Sequence, residues 1–441
     1  MSLYKEFFHK TYKFCRDYNL LNENTKILAA VSGGPDSVLL FYFLVDLLKT
    51  NLIKSLRVVH FNHNLREESK DEEKFVENLC LEYGIKYDII QLDVKKFSRE
   101  NKLSIEIAGH ILRDRYYKKL LEKYNYDVVA TAHHKDDLVE SVLYYLFKSA
   151  GLKGLAGISP KYKDYIIRPF LTIEKKEIYN ILKELKLQYK LDKTNFETIY
   201  NRNKIRNIII PSIESNFPFF KDNIYKTSEI ARELHKFLKD NYNLDIDKDF
   251  WGLEYIKREK LIPNIAILYY QISDILKNWG LEEDNIGIYR TIFFALKKEK
   301  NTKITIDNNI LLFLDYDGIR KYENYSKYVV EIKANKNFFT KLKVFYKNLE
   351  IKILFYNDKW FLEAYMDNYR TLIELKEDLF PYYIKTREEG MRFYNKNKKL
   401  KEFFIDYKIP RIHREFMPIL VDKNNRVHSI LFFKEYKKSL I

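Results

Sequence analysis

Between an apolar run, Lys26 to Val31 (KILAAV), and a helix-length apolar stretch, Asp36 to Leu48, the chain turns through Ser32-Gly33-Gly34-Pro35-Asp36-Ser37. A strand feeding straight into a helix commits the chain to a crossover, and the pattern repeats along the first half. Leu56 to Phe61 is followed by an amphipathic stretch, Asp71 to Tyr83, that stops at Gly84. Tyr87 to Leu92, Ile105 to Tyr124, Asp127 to Ala132 and Asp137 to Phe147 continue the alternation. Such alternation over short joints predicts an α/β fold, a parallel sheet with helices on both faces. Ligands of such sheets sit in loops at the carboxyl ends of the strands. After Pro211 the pattern turns helical, in Tyr225 to Lys239 and Pro263 to Lys277, and from about Lys303 alternating stretches such as Lys341 to Tyr356 read as strands. The expected domains are an α/β catalytic domain over 1–211, a mainly helical middle domain over 212–330 and an α+β, β-containing C-terminal domain over 331–441.

Glycine is scarce, 12 in 441 residues, against a usual share of about 7%. Gly33-Gly34 is the one adjacent pair. Two glycines let the backbone turn tightly and approach a ligand, and the new helix aims free N–H groups and its positive end at the same place, which favours phosphate. Ser32 and Ser37 add hydroxyls, and Asp36 is suited to a magnesium ion or to orienting a donor. No lysine follows the glycines, so this is not the GxxxxGK[ST] loop; the competing reading is an ordinary capped turn. SGGPDS in this setting resembles the pyrophosphate loop of the ATP-pyrophosphatase (PP-loop) superfamily, whose members cleave ATP to AMP and pyrophosphate. The loop alone does not choose among GMP synthetases, NAD synthetases, tRNA thiolases and lysidine synthases.

Several classes are excluded by what is missing. Apolar runs such as Val38 to Val45 fall far short of the ~18 residues of a membrane span, and Met-Ser-Leu-Tyr-Lys-Glu has no signal-peptide core. Cys15 and Cys80 form no C-x-x-C pair and read as buried small hydrophobes. The expectation is a soluble, cytoplasmic protein without membrane contact. Lys plus Arg number 78 against 62 for Asp plus Glu, a net charge of +16, which suits an anionic partner such as nucleic acid.

Further segments carry polar chemistry. His60-Phe61-Asn62-His63-Asn64-Leu65-Arg66 ends the second strand, where imidazoles, an amide and a guanidinium suit a nucleotide or form a plain polar loop. In SIEIAGHILRDRYY, Glu106, His110 and Arg113 share a helix face; Arg113 offers a fork for phosphate or departing pyrophosphate, or belongs to a surface stripe. In Ala132-His133-His134-Lys135-Asp136-Asp137-Leu138-Val139-Glu140-Ser141, two carboxylates three apart open a helix. Asp137 and Glu140 are suited to gripping an ammonium group, to taking its proton, to magnesium, or merely to complementing the helix dipole. Adjacent histidines on a strand point apart, which disfavours zinc. Gly151 to Gly157 with Lys153, then Arg168-Pro169-Phe170, Asp192-Lys193-Thr194-Asn195 and Tyr200-Asn201-Arg202-Asn203-Lys204-Ile205-Arg206 follow. Basic residues with tyrosine and asparagine suit phosphate and base contacts as well as a solvated helix.

Taken in order, these segments resemble tRNA(Ile)-lysidine synthases: an HxNHxLR run, an ExAxRxxRY-like helix with His110 where Arg is common, and an AHHxxDQxET-like run with Leu138 for Gln and Ser141 for Thr. A D-x-[ST]-N and Y-x-R-N-x-[IV]-R segment follows. The likeness spans about residues 25–211 and, through Arg387 to Asp422 with Met391 in place of a usual Asp, 384–433. It implies a ligase that joins free L-lysine to C2 of the wobble cytidine of tRNA(Ile) with a CAU anticodon, using ATP with magnesium and releasing AMP and pyrophosphate. By this resemblance Ser32, Gly33, Gly34, Pro35, Asp36, Ser37, His60, Asn62 and His63 bind ATP, with Asp36 the magnesium ligand. Asp36, Arg113 and Arg206 serve the phosphates, and Asp137 and Glu140 hold and deprotonate lysine. Arg66, Lys153, Arg168, Arg202, Asn203, Lys204, Arg392, Lys401, Arg411 and Arg414 contact tRNA. A homodimer stays open as a further partnership. The alternatives are a tRNA thiolase, for which neither cysteine is placed as a sulfur relay, and a non-enzymatic RNA binder.

Overall fold

A computed structural model describes residues 2–62, 69–148, 151–190, 201–281, 286–306, 310–322, 326–396 and 398–439. The chain divides into two compact units, Met1–Lys236 and Phe237–Ile441.

In the first unit α1 (Leu3–Asp17) precedes β1 (Lys26–Ala30), α2 (Pro35–Lys49), β2 (Ser55–Asn62), α3 (Ser69–Glu82), β3 (Lys86–Gln91), α4 (Val94–Glu100), α5 (Ile105–Tyr124), β4 (Val128–Ala130) and α6 (Lys135–Phe147). After these come α7 (Gly151–Leu155), β5 (Lys161–Tyr162), β6 (Ile166–Ile167) and α8 (Lys175–Glu184), then α9 (Asn201–Lys204), a π-helical turn (Ile205–Ile209), α10 (Ile210–Asn216) and α11 (Phe220–Tyr242), whose last residues belong to the second unit. The strands lie in the order β3-β2-β1-β4-β6-β5, parallel except for β5. Both faces are covered: α1, α2 and α8 share one apolar core, and Tyr117, Leu120 and Leu121 of α5 cover the other face. Ile27, Leu28 and Ala29 are buried in succession, as expected for a strand with a helix layer on each side. Winding reverses at β1, with β2 and β3 to one side and β4 to the other. That opens a crevice between the carboxyl ends of β1 and β4, where doubly wound sheets hold their ligands.

Among the described residues the second unit contains helices and three sheets. Its first core joins α12 (Ile265–Asn278) and α13 (Ile286–Lys297) to a five-stranded sheet. That sheet has the order β7 (Asp247–Lys248), β8 (Glu254–Lys257), β11 (Gly318–Tyr322), β10 (Ile310–Leu314), β9 (Thr302–Ile306). The middle segment thus adds a sheet to its expected helices. The second core spans a meander of β13 (Phe339–Val344), β14 (Lys347–Tyr356), β15 (Lys359–Met366) and β16 (Tyr369–Leu375). It includes a further sheet of β12 (Val329–Ile332), β17 (Tyr382–Lys385), β19 (Ile419–Val421), β20 (Arg426–Ile430) and β18 (Arg392–Phe393), with α14 (Leu400–Asp406), α15 (Arg411–Phe416) and α16 (Phe433–Ser439). A buried charge cluster ties this unit together. Arg320 donates to Asp249 at 2.8 Å and to both Asp317 oxygens at 2.8 and 2.7 Å, while His413 meets Asp249 at 2.8 Å and Tyr436 at 2.6 Å.

Gly318 opens β11 against β8, and a Cβ there would sit 2.2 Å from the Ile256 carbonyl oxygen. Backbone cannot yield as a side-chain tip can, so Gly318→Ala is expected to destabilise the second unit by about 2 kcal/mol or more. A thermal melt should show its transition lowered by several degrees; an unchanged melt refutes the close approach.

Candidate active site

The turn after β1 is built around one hydroxyl. Ser37 Oγ accepts the N–H groups of Ser32 and Gly33, each at 3.1 Å, and donates to the Gly34 carbonyl at 2.9 Å. Gly33 sits at φ +89°, a region that side chains disfavour. Gly34 caps α2 with no side-chain hydrogen bond and Pro35 takes the first turn. The N–H groups of that turn therefore stay available at the head of the helix. They face a cavity of about 370 Å³ whose walls include Ser32, Phe61, Arg113, His133, Asp137 and Arg206.

Across this cavity, β4 runs through Thr131 into α6, which His134 caps. The His134 N–H donates to Asp137 Oδ2 at 2.9 Å, and its buried ring lies 3.5 Å from Asp136, 3.5 Å from Asp137 and 3.8 Å from Asp36. Burial alone would lower this imidazole's pKa, but Asp137, then Asp136 and Asp36, hold it above the ordinary value. His133 points elsewhere, its Nδ1 3.0 Å from Thr131 Oγ1. Desolvation, with Arg168, His134 and Arg113 outweighing Asp137, pushes it down to about 4. Asp137 is held below the carboxylate range: burial opposes this, while His134, His133, the His134 N–H and Arg206 prevail. Glu140, its side chain 8% exposed, moves the other way, lifted by burial and by Asp137 against the pull of Arg206.

Arg206 closes the arrangement. Its Nε and Nη2 fork onto Glu140 at 2.5 and 2.8 Å, and Nη2 reaches Asp137 at 3.4 Å. It projects from the π-helical turn, whose Ile205 packs with Val139 and Leu143 of α6; such turns recur at functional sites. Lys175 completes the charge pattern, with Nζ 2.9 Å from Asp36 Oδ2 and its backbone N–H on Asp136 at 2.8 Å.

The crevice thus gathers Ser32, Gly34, Asp36, Ser37, Arg113, Asp137 and Arg206, with Glu140 behind Arg206; Gly33 and Pro35 belong to the same turn. His60 and Asn62 are corrections to the expected ATP contacts. On β2 it is Val59 and Phe61 that line the cavity, so the intervening side chains face the opposite way. His60 pairs with the Val31 carbonyl and Asn62 donates to Glu73 of α3. Arg168, expected on tRNA, is 8% exposed and donates inward to the Ser159 carbonyl at 2.7 Å. His63, Arg66, Asp192, Thr194, Asn195 and Tyr200 lie outside the described residues, as do the side chains of Glu106 and Arg202. Lys153 and Lys204 are exposed and Asn203 is half-buried. In the second unit Arg392, Lys401 and Arg411 are exposed, and Arg414 is half-buried with Nε on the Ile409 carbonyl. Leu138 and Met391, two departures from the motif pattern, are packed in apolar cores. Cys15 and Cys80 are free and buried, with burial pushing the Cys80 thiol up to about 12, opposite to what sulfur chemistry requires. Lys175 was missed at the level of sequence. Its signal was a lysine in the first turn of a helix, where the dipole favours acids.

A PP-loop domain model matches residues 3–213 and a TilS substrate C-terminal domain model matches residues 384–431. A tRNA(Ile)-lysidine synthase from Persephonella marina is 31% identical over 96% of this chain and 93% of its own length. The chain belongs to the tRNA(Ile)-lysidine synthase family. Another tRNA(Ile)-lysidine synthase, from Thermosipho africanus, is 31% identical over 94% of this chain and 90% of its own. The solved U34-tRNA thiolase NcsA from Methanococcus maripaludis aligns at 23% identity and a TM-score of 0.45, over 52% of this chain and 80% of that one. Lysidine synthase membership makes ATP the co-substrate of the PP-loop.

The sign of the His134 shift sets a pH dependence. A raised folded pKa means that the attraction between His134 and its carboxylates is fully present below the unfolded pKa of about 6.5 and fades as pH rises through the folded value. Proton NMR of the His134 ring should give a midpoint above 6.5, and Asp137→Asn should lower it. A midpoint at or below 6.5 would contradict the geometry.

Proposed function

We infer that the protein ligates free L-lysine to C2 of the wobble cytidine of tRNA(Ile) with a CAU anticodon, in the cytoplasm. The observation that carries this is one crevice lined by a phosphate-type turn, Ser32–Ser37, and by Asp137 and Arg206, with Glu140 paired to Asp137 through Arg206. ATP lies with its phosphates over the head of α2. The cytosine C2 oxygen attacks the α-phosphorus, the bond to pyrophosphate breaks, and Arg113 and Arg206 offset the negative charge that develops. The lysine ε-nitrogen then bonds to C2 as the C2–O bond to AMP breaks.

Lysine arrives as an ammonium ion and must lose a proton to attack. Asp137, held ionised by His134, grips it, and Glu140, whose burial raises its proton affinity, takes the proton. Until lysine arrives, Arg206 supplies the positive charge that these carboxylates need. Asp36 suits a magnesium ion carried with ATP: Oδ1 is buried without a hydrogen-bond partner among the described residues, and an anionic oxygen is the donor this ion prefers. When bound, the ion neutralises phosphate charge. The exposed Lys153, Lys204, Arg392, Lys401 and Arg411 are the proposed phosphate contacts of the tRNA, with Asn203 and Arg414 beside them; Arg168 keeps an internal role.

Two measurements test this. AMP release and repeated turnover with tRNA should depend on free lysine, while a single equivalent of pyrophosphate needs only ATP and tRNA; dependence on a sulfur donor would mean a thiolase, and no turnover a binder. Asp137→Asn should lower lysine incorporation at least a hundredfold, a scale of about 3 kcal/mol, while tRNA affinity stays within about twofold. Normal incorporation by that variant removes Asp137 from the mechanism.

A further inference from the structure

The sequence Phe217-Pro218-Phe219-Phe220 joins α10 to α11, and its three aromatic rings meet different fates. Phe220 is buried with Val139 of α6 and with Ile205, the neighbour of Arg206. Phe217 and Phe219 are 67% and 74% exposed. Two neighbouring large rings left in water beside a buried third form an exposed aromatic patch, the kind of surface that marks an interaction site. The loop is also fastened to the catalytic wall: Lys221 reaches Asp136 at 2.9 Å, and Asp222 reaches Lys135, the first residue of α6, at 2.7 Å. The two rings border an open recess of about 440 Å³ together with Asn216, Asn223 and Thr227, which add amide and hydroxyl groups at its edge.

We propose that Phe217 and Phe219 form a stacking ledge for unpaired bases flanking the target cytidine of the RNA substrate. The inference rests on the lysidine synthase reading above, which requires a loop base to leave its stack and enter the crevice. Single-stranded RNA is recognised by splaying bases onto aromatic faces, and a base lifted into the cavity leaves its neighbours without a stacking partner. The ledge offers one on a loop fastened by Lys221 and Asp222 to the first turn of α6. Polar groups at its rim and the basic balance of the chain, +16, match an RNA occupant. The ledge acts on binding and placement of the RNA, with no part in bond making.

The test uses the full-length protein and an anticodon stem-loop carrying 2-aminopurine next to the target cytidine. Stacking on a ring quenches 2-aminopurine, so wild-type protein should dim it. Phe219→Ala, alone or with Phe217→Ala, should abolish the dimming. It should also raise the RNA KM by roughly five- to a hundredfold, with kcat at saturating RNA and ATP affinity within twofold of wild type. Phe219→Trp should restore both signals, because any aromatic face serves. An RNA KM within twofold of wild type for the double variant overturns the ledge, as does persistent quenching. So does a Phe219→Ala effect confined to sedimentation, which would mean that the rings meet a second copy of the chain. If wild-type protein quenches the probe but never incorporates lysine, the functional reading fails while the ledge stands.

Discussion

The active-site architecture depends on a single fork of hydrogen bonds, from Arg206 to Glu140 and Asp137. A carboxylate as enclosed as Glu140 is costly to keep charged without a partner. That partner comes from a turn 66 residues further along the chain. The fork therefore does two things at once. It lets two acids share one wall of a crevice without collapsing into protonated, chemically inert groups. It also anchors the π-helical turn, and through Ile205 and Phe220 the start of α11, against α6. His134 and Lys175 extend the same logic on the other side, so that Asp36, Asp136 and Asp137 each face a positive group. The site is a lattice in which opposite charges stabilise one another's ionisation, while Asp137 raises the proton affinity of Glu140.

This lattice forms where it does because of the order of the strands. The turn after β1 and the cap of α6 after β4 are about a hundred residues apart in sequence, yet β1 and β4 are hydrogen-bonded neighbours. With the winding reversed at β1, the two loops face each other across a gap that no crossover covers. A phosphate-type turn and a carboxylate pair become one site through that adjacency. The same geometry explains the inward position of Arg168, which follows β6, the next strand outward. There it donates to the Ser159 carbonyl, and its charge helps keep His133 neutral.

Much of this was readable from residues alone. The strand-turn-helix rhythm identified a doubly covered parallel sheet, and the rarity of glycine made Gly33-Gly34 stand out as a place where the backbone must approach a ligand. The two spans of family likeness, 25–211 and 384–433, overlap the two matched domain models, over 3–213 and 384–431. Two things were hidden. One was the parity of β2: in Leu56-Arg57-Val58-Val59-His60-Phe61-Asn62 both faces are covered, so apolar residues fall on both sides and no alternation tells which side chains reach the crevice. The motif was recognised, yet His60 and Asn62 turn away from the cavity. The other was Lys175, which carries no motif and is drawn to Asp36 from 139 residues away.

The sequence by itself determined the class of fold, the phosphate-type turn, the carboxylate pair and the family, because each is written in local spacing and residue type. Only the tertiary structure decided which carboxylate is held ionised and which is lifted toward protonation. It also decided which face of β2 meets the cavity, and that two phenylalanines of the loop between α10 and α11 remain in solvent. Those properties come from burial and from charges distant in sequence. They exist only once the sheet has brought β1, β4 and the turn carrying Arg206 together.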